Sequence, residues 1–301
     1  MNVKKTIKKT PYFEKLNYLR FKIMFNLRSD ENELKARYKK IFGRYPNLIE
    51  PKFFSEKIIW RICNENDTRF SELSDKYAVR KYVEDKIGSE YLIPLIGVFK
   101  NAKDIDFNKL PKKYVLKCNH DSGSVIISDG INKFNINKSI SKLNTSLSLN
   151  YYHCTREKHY ESIKPLIICE EFISENGNAP RDYKFHMFKM GNEHKIFIQV
   201  DNDRFSEHTR NIYDESWNLM PFRITKNNSK NPILPPKNLH KMLNLAKVLS
   251  DDFSYIRVDF YEVNEKIYFG ELTFTSFSGL EAFFPESWDL RLGEYWQQDI
   301  L

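Results

Sequence analysis

Apolar and polar positions alternate most regularly in Tyr255-Ile-Arg-Val-Asp-Phe-Tyr261 and in Ile267-Tyr-Phe-Gly-Glu-Leu-Thr-Phe-Thr275. β-Branched and aromatic residues dominate both stretches, and Asn264-Glu265-Lys266 separates them, so the pattern predicts two strands joined by a turn. Side chains two apart on a strand share a face, which groups Arg257 with Asp259 and Glu271 with Thr273. Val258, Phe260, Phe269 and Leu272 are expected to make the other face apolar. If the strands pair, a cation, two carboxylates and a hydroxyl converge on one patch. Adjacent carboxylates repel unless a cation joins them, and a hard, oxygen-seeking ion such as Mg²⁺ is the natural occupant. A solvated hairpin face can carry charge for solubility alone. An apolar opposite face followed by the small-residue run Thr275-Ser-Phe-Ser-Gly279 favours a binding site instead.

Elsewhere the pattern is mostly helical near the N-terminus and extended further on. Tyr12, Leu16, Leu19, Ile23 and Leu27 recur at helical spacing, broadened by Phe13, Phe21 and Phe25 and flanked by Lys15, Arg20, Lys22 and Arg28. Such a basic amphipathic helix either lies on an anionic membrane surface or packs on the body with its charges in water. Asp30 to Phe42 continues helical, Phe54 to Trp60 follows with Ser55 as expected cap, and Asp67 to Ile87 carries Lys76 and Arg80 one turn apart. Tyr91 to Phe99 is extended. Lys113 to Asn119 reads as a strand interrupted by Lys117, a residue that costs desolvation there unless an anion meets it. The turn Ser122-Gly123-Ser124 follows, with residues small enough for backbone N–H groups to approach an anion. Pro165 to Ile173 is an apolar strand ending at Asn176-Gly177. Asp182 and Lys184 share a face of the next strand, Asp201 to Asn211 reads as a charged loop, and Leu239 to Ser250 is a helix.

Composition narrows the classes. The chain has 301 residues, 41% hydrophobic, enough for two lobes with a substantial core. No apolar run approaches the ~20 residues that span a bilayer, and Met1 to Thr10 lacks the apolar core of a signal peptide. The four cysteines, Cys63, Cys118, Cys154 and Cys169, form no C-x-x-C pair, which gives neither zinc nor disulfides support. A cytoplasmic location is expected, peripheral to the inner membrane face if the N-terminal helix docks there. The net charge of +8 is concentrated: residues 1–44 hold 13 Lys/Arg against 4 Asp/Glu, and the remainder 35 against 36. A neutral body lacks the basic face of a nucleic-acid-binding domain, so no nucleic acid is expected as partner.

The order of these features resembles the ATP-grasp superfamily, an α+β fold whose two lobes clamp ATP. Phe54-Ser-Glu-Lys-Ile58, Ser74-Asp-Lys-Tyr77, Asp182-Tyr-Lys-Phe185 and Gly270-Glu-Leu-Thr-Phe274 are similar to its TupA-like polysaccharide-biosynthesis branch. The resemblance covers roughly Asp75 to Gly279. The expected organisation is a mainly helical N-terminal region over residues 1–90, a small lobe over 91–175 and a large lobe with the metal site over 176–301.

The resemblance implies roles. Lys117 and Lys76 would meet ATP phosphates, and Ser122, Gly123 and Ser124 would cover them as a flap. Glu170, Glu171 and Ile173 lie where the adenine edge would be met, and Asp182 would take ribose hydroxyls. Lys184 would sit near the γ-phosphate or acyl substrate, Arg257 would stabilise charge at the reacting carbonyl, and Asp259, Glu271 and Thr273 would hold Mg²⁺. Thr273 stands where many ATP-grasp enzymes have Asn, and residues 1–90 replace the usual Rossmann-like domain. The implied reaction joins a carboxylate to an amine through an acylphosphate, with a uronic acid of a surface polysaccharide precursor as acyl donor and an amino acid or amino sugar as amine. A sugar kinase on the same fold, and a glycosyltransferase-like or non-catalytic assembly partner, are the alternatives.

Overall fold

The computed structural model describes residues 11–132, 134–175, 179–202 and 208–297. The basic run at residues 1–10, the turn at Asn176-Gly177, the middle of the charged loop after Asn202 and the last residues of the tail lie outside them. The helices are α1 (Pro11–Leu27), α2 (Asp30–Phe42), α3 (Phe54–Asn64), α4 (Arg69–Ser74), α5 (Val79–Ile87), α6 (Ile136–Leu147), α7 (Tyr151–Thr155), α8 (Leu239–Ser250) and α9 (Ser287–Tyr295). The strands are β1 (Leu95–Phe99), β2 (Lys113–Cys118), β3 (Ile126–Asp129), β4 (Ile167–Glu171), β5 (Asp182–Met190), β6 (Glu193–Asn202), β7 (Thr209–Tyr213), β8 (Arg223–Ile224), β9 (Tyr255–Val263), β10 (Lys266–Thr273) and β11 (Phe283–Phe284). The chain divides into two interleaved units: Met1–Asn32, Thr68–Val79 and Ile93–Ile173 form one, and Glu33–Asp67, Arg80–Leu92 and Ser174–Leu301 the other. Residues 1–90, read from the sequence as one helical region, are thus shared between both.

The first unit is built on an antiparallel sheet of order β1-β4-β2-β3. Tyr114, Leu116 and Cys118 of β2 and Ile167 and Cys169 of β4 point to one side, where they pack with Leu143 of α6 and, at its margin, Ile140 and Leu147. Those last three follow helical spacing, which is why α6 forms and which side it buries. Burial pushes the Cys118 and Cys169 thiols up to about 12, so neither is a nucleophile near neutral pH. Helix α1 docks through Tyr18 and Phe25, two turns apart: the Tyr18 hydroxyl lies 2.8 Å from His153 Nδ1, and the Phe25 ring meets Tyr152 edge-on. Arg156 anchors it further, donating to the Arg28 carbonyl and to Asp30. Of the helical stripe, Leu19, Ile23 and Leu27 are exposed.

The second unit holds a five-stranded antiparallel sheet of order β10-β9-β5-β6-β7. One face is apolar throughout: Ile256, Val258 and Phe260 of β9 and Tyr183, Phe185 and Met187 of β5 are all buried, and α8 lies against β9 and β5. The other face changes character along each strand. On β5 it runs Asp182, Lys184, His186, Phe188, and on β9 Asp259, Arg257, Tyr255. Its aromatic end, with Phe188, Phe197 and Tyr255, is closed by Leu34 and Tyr38 of α2, Phe54, Ile58 and Ile59 of α3 and Leu292 of α9. Its polar end is the candidate site.

Two glycines make this arrangement feasible. Gly270 forms a bulge: Phe269 pairs with Phe260 and Glu271 with Asp259, so one residue of β10 is left over. A Cβ there would meet the Asp259 carbonyl and the Tyr261 ring at 3.1 Å. Gly279 has φ +69, and a Cβ would lie 2.5 Å from the Ser55 carbonyl in α3.

Ser55 is not a helix cap. It lies inside α3, where its N–H and hydroxyl both donate to buried Asp289. The N-terminus of α3 is bound by Glu56, which accepts from the N–H groups of Asn47, Lys52 and Phe53. Burial raises Asp289 to about 7.

Candidate active site

The polar end of the large sheet is assembled by register. Glu271 faces Asp259, Asp259 faces Lys184 and Lys184 faces Gln199, so one row crosses four strands. Arg257 Nε donates to Asp259 Oδ1 at 2.7 Å and its Nη2 to Asp259 Oδ2 at 2.9 Å, a two-pronged pair. The same Nη2 reaches Glu271 Oε1 at 2.7 Å. Lys184 Nζ lies between two aspartates, 2.7 Å from Asp182 Oδ2 and bonded to Asp259 Oδ2. Thr273 donates weakly to Glu271 Oε1 at 3.3 Å. Two cations and three carboxylates therefore share one patch, as the alternation along β9 and β10 predicts.

Burial opposes both positive charges, and the aspartates outweigh it. Asp182 and Asp259 raise the Lys184 ammonium, and Asp259 with Glu271 raises the Arg257 guanidinium. His186, on the same face, lies 3.0 Å from the Tyr255 hydroxyl and 3.4 Å from Gln199 Oε1. Burial, aided by Arg257, pushes it down to about 3, which makes it a neutral structural residue.

Asp259, Lys184, Asp182 and Arg257 are buried, whereas the Glu271 side chain is 42% exposed. Glu271 Oε2 accepts no hydrogen bond among the described residues. Among the described residues no group of three or more His, Cys, Asp and Glu is arranged to hold a metal ion. Asp259, Glu271 and Thr273 nevertheless fit the chemistry of Mg²⁺: the donors are all hard oxygens, and this ion commonly takes its remaining ligands from phosphate and water. Asp259 would have to share oxygens now held by Arg257 and Lys184, and Glu271 has one to spare.

The first unit carries its own polar group. Val115 and Lys117 of β2, with Ile168 and Glu170 of β4, face away from the core shared with α6. Lys117 Nζ meets Glu170 Oε2 diagonally at 2.6 Å, which supplies the anion its strand position demands. Lys76 lies in the turn between α4 and α5, not on a helix as its surroundings predict. Its backbone N–H donates to the Asn119 carbonyl and its Nζ to the Asp121 carbonyl at 2.5 Å. Both bonds end on the segment linking β2 to β3, beside Ser122-Gly123-Ser124. Ser122 and Gly123 are exposed, Gly123 with φ +115. Ser124 is buried and its hydroxyl braces the loop, accepting from the Cys118 N–H at 2.8 Å and donating to Asp121 at 2.6 Å. Glu171 ends β4, exposed, its N–H on the Pro94 carbonyl, and half-buried Ile173 is the last residue before the chain enters the second unit.

Residues the sequence reading passed over extend the large-sheet face. Arg210 opposes Asp201, and Arg210 Nε donates to Asp201 Oδ1 at 2.7 Å while its Nη1 donates to Glu281 at 2.8 Å. A signal was available: Arg210 interrupts the strand Thr209–Tyr213, as Lys117 interrupts β2.

The chain has the ATP-grasp fold. It belongs to the TupA-like ATPgrasp family, whose model matches residues 56–297. No curated protein matches it. Solved structures similar to it include D-alanine–D-alanine ligase from Helicobacter pylori, at 15% identity over 69% of this chain and 53% of that one, TM-score 0.43. L-amino acid ligase from Bacillus licheniformis is 10% identical over 82% of this chain and 55% of that one, TM-score 0.46. The chain spans about half the length of these proteins. Among the described residues no helix is long and apolar enough to cross a membrane.

Proposed function

We propose that the protein is an ATP-dependent carboxylate–amine ligase, forming ADP and an amide through an acylphosphate. The observation that carries this reading is the Arg257–Asp259–Lys184 network with half-exposed Glu271 at its edge. Phosphoryl transfer to a carboxylate brings several negative charges together, and preorganised cations are the main means of stabilising them. Arg257 is placed to stabilise the oxyanion at the acyl carbon, and losing such a donor typically costs ~100-fold or more in rate. Lys184 adds positive charge that burial and its two aspartates orient. Lys117 and Lys76 serve the phosphates, with Ser122, Gly123 and Ser124 covering them. Glu170, Glu171 and Ile173 serve the adenine edge and Asp182 the ribose. Asp259, Glu271 and Thr273 would hold Mg²⁺, which when bound neutralises phosphate oxygens.

We further propose a surface-polysaccharide setting, with a uronic acid as acyl donor and an amino acid or amino sugar as amine, which is what the resemblance of the sequence motifs implies. Helix α1 fits the same setting. It presents Leu19, Ile23 and Leu27 to solvent beside exposed Arg20, Lys22 and Arg28, the composition of a helix resting on an anionic membrane. Replacing Leu19 and Ile23 by Ser should abolish co-sedimentation with anionic vesicles; unchanged binding refutes the membrane assignment.

The test of the reaction is product analysis with ATP, Mg²⁺ and a panel of uronic acids and amino acids. ADP formed only when both substrates are present, and lost in Asp259→Asn and Glu271→Gln, supports the ligase. A stable phosphorylated sugar recovered without amine incorporation identifies a kinase. Folded protein that binds no ATP refutes both and leaves a glycosyltransferase-like or assembly role.

A further inference from the structure

The polar face of the large sheet continues past Lys184 into a second charged cluster that phosphoryl transfer does not use. Asp201 is saturated: Oδ1 accepts from Arg210 at 2.7 Å and lies 2.9 Å from His208 Nε2, and Oδ2 accepts from Gln199 at 2.9 Å. Glu281 is not. Arg210 holds Oε1, and Oε2 accepts no hydrogen bond among the described residues. Its side chain is 17% exposed. Two carboxylates, Asp201 and Glu281, face one guanidinium, that of Arg210.

Phe277 places this cluster beside the reaction centre. Its ring lies 5.0 Å from the Arg210 guanidinium carbon and 5.9 Å from that of Arg257. Phe277 and Ser278 both adopt left-handed backbone conformations, at φ 50 and 53, which non-glycine residues avoid. The turn is held there by Gly279 against α3 and by Ser276, whose hydroxyl lies 3.0 Å from the Tyr255 hydroxyl. Phe277 itself is 45% exposed, so an aromatic face and a spare carboxylate oxygen are offered next to Arg257.

We propose that Glu281 and Phe277 form the subsite for the amine substrate. This rests on the ligase reading given above. The ammonium group pairs with Glu281 Oε2 and lies against the Phe277 ring. Of its three protons, one passes to Glu281, which frees the nitrogen lone pair. The nitrogen attacks the acylphosphate carbon, the C–N bond forms and the C–O bond to phosphate breaks. A second proton leaves with the phosphate and the third stays on the amide. Burial raises the Glu281 carboxyl, which suits it to accept a proton. The charged groups acting on it are Arg210, Asp201 and Arg257.

Hydroxylamine separates the two half-reactions, because at high concentration it traps an acylphosphate without a binding site. With ATP, Mg²⁺ and the uronic-acid panel, Glu281→Gln should form hydroxamate within ~2-fold of wild type. Amide formation with the amino-acid and amino-sugar panel should fall ~100-fold, with a raised amine KM and loss of the acid limb of the pH profile. Glu281→Asp should restore part of the rate, and Phe277→Leu should raise the amine KM with hydroxamate unchanged. Amide and hydroxamate falling together in both Glu281→Gln and Phe277→Leu, or amide unaffected in both, overturns the subsite. Absence of hydroxamate from the wild type overturns the ligase reading itself.

Discussion

The two sheets handle buried charge in opposite ways. On the small sheet one lysine meets one glutamate, Lys117 to Glu170, across a diagonal of two strands. On the large sheet each charge has several partners: Asp259 is held by both Arg257 and Lys184, and Lys184 by both Asp259 and Asp182. A pair whose lysine is 17% exposed can open toward solvent. A shared network cannot, because removing one member leaves others buried without compensation. The small sheet thus carries a charge available for exchange, and the large sheet a charge held in place.

Mutations should separate the two arrangements. The largest effect is expected from Asp259→Asn, which strips a counter-charge from two buried cations at once. Urea unfolding should show a loss of about 3–5 kcal/mol, together with loss of ATP turnover. Acid should act next, through His186. Its folded value of about 3 lies below the 6.5 of an ordinary histidine, so its contribution is complete above pH 6.5 and lost as pH falls toward 3. Unfolding stability should drop by a few kcal/mol across that window, and His186→Gln should flatten the profile. Asp289 works in the other sense: raised to about 7, it is least costly below its ordinary range and destabilises as pH rises through 7. Lys117→Met should cost about 1–3 kcal/mol and weaken ATP binding measured by titration calorimetry. Glu271→Gln should be the smallest in stability, within about 1 kcal/mol for so exposed a group, yet abolish turnover. A Lys117 variant as destabilised as Asp259→Asn, or an Asp259 variant of wild-type stability, would erase the distinction between the sheets.

Much of this was legible where the relevant contact is between near neighbours on a strand. Arg257 with Asp259, Glu271 with Thr273, and Asp182 with Lys184 share faces as alternation requires, and α2 and α8 occupy the predicted stretches. Lys117 was recognisable because it interrupts an apolar strand. What local pattern could not supply was partner choice. Helix α1 has a helical stripe as regular as that of α6, but α6 buries its stripe on a sheet and α1 docks by Tyr18 and Phe25 instead. Arg210 finds Glu281 across 71 positions of sequence, through a turn whose backbone conformation no residue pattern announced. Lys76 sits in a turn because the chain breaks between Ser74 and Val79, inside what composition alone makes a continuous helix.

Gly270 sets the phase of everything after it. Phe269 and Leu272 both belong to the apolar layer although an odd number of positions separates them, and only the one-residue slip at Gly270 reconciles the two. Upstream and downstream halves of β10 thus obey opposite parity. Closing the bulge with Gly270 kept would set Gly270 opposite Asp259 and rotate Glu271 and Thr273 into the layer beneath α8, while Leu272 would surface among the charges. A one-residue slip of register would then invert the strand's two sides without altering any side chain that the site uses. The site's chemistry depends as much on this count as on the identity of its carboxylates.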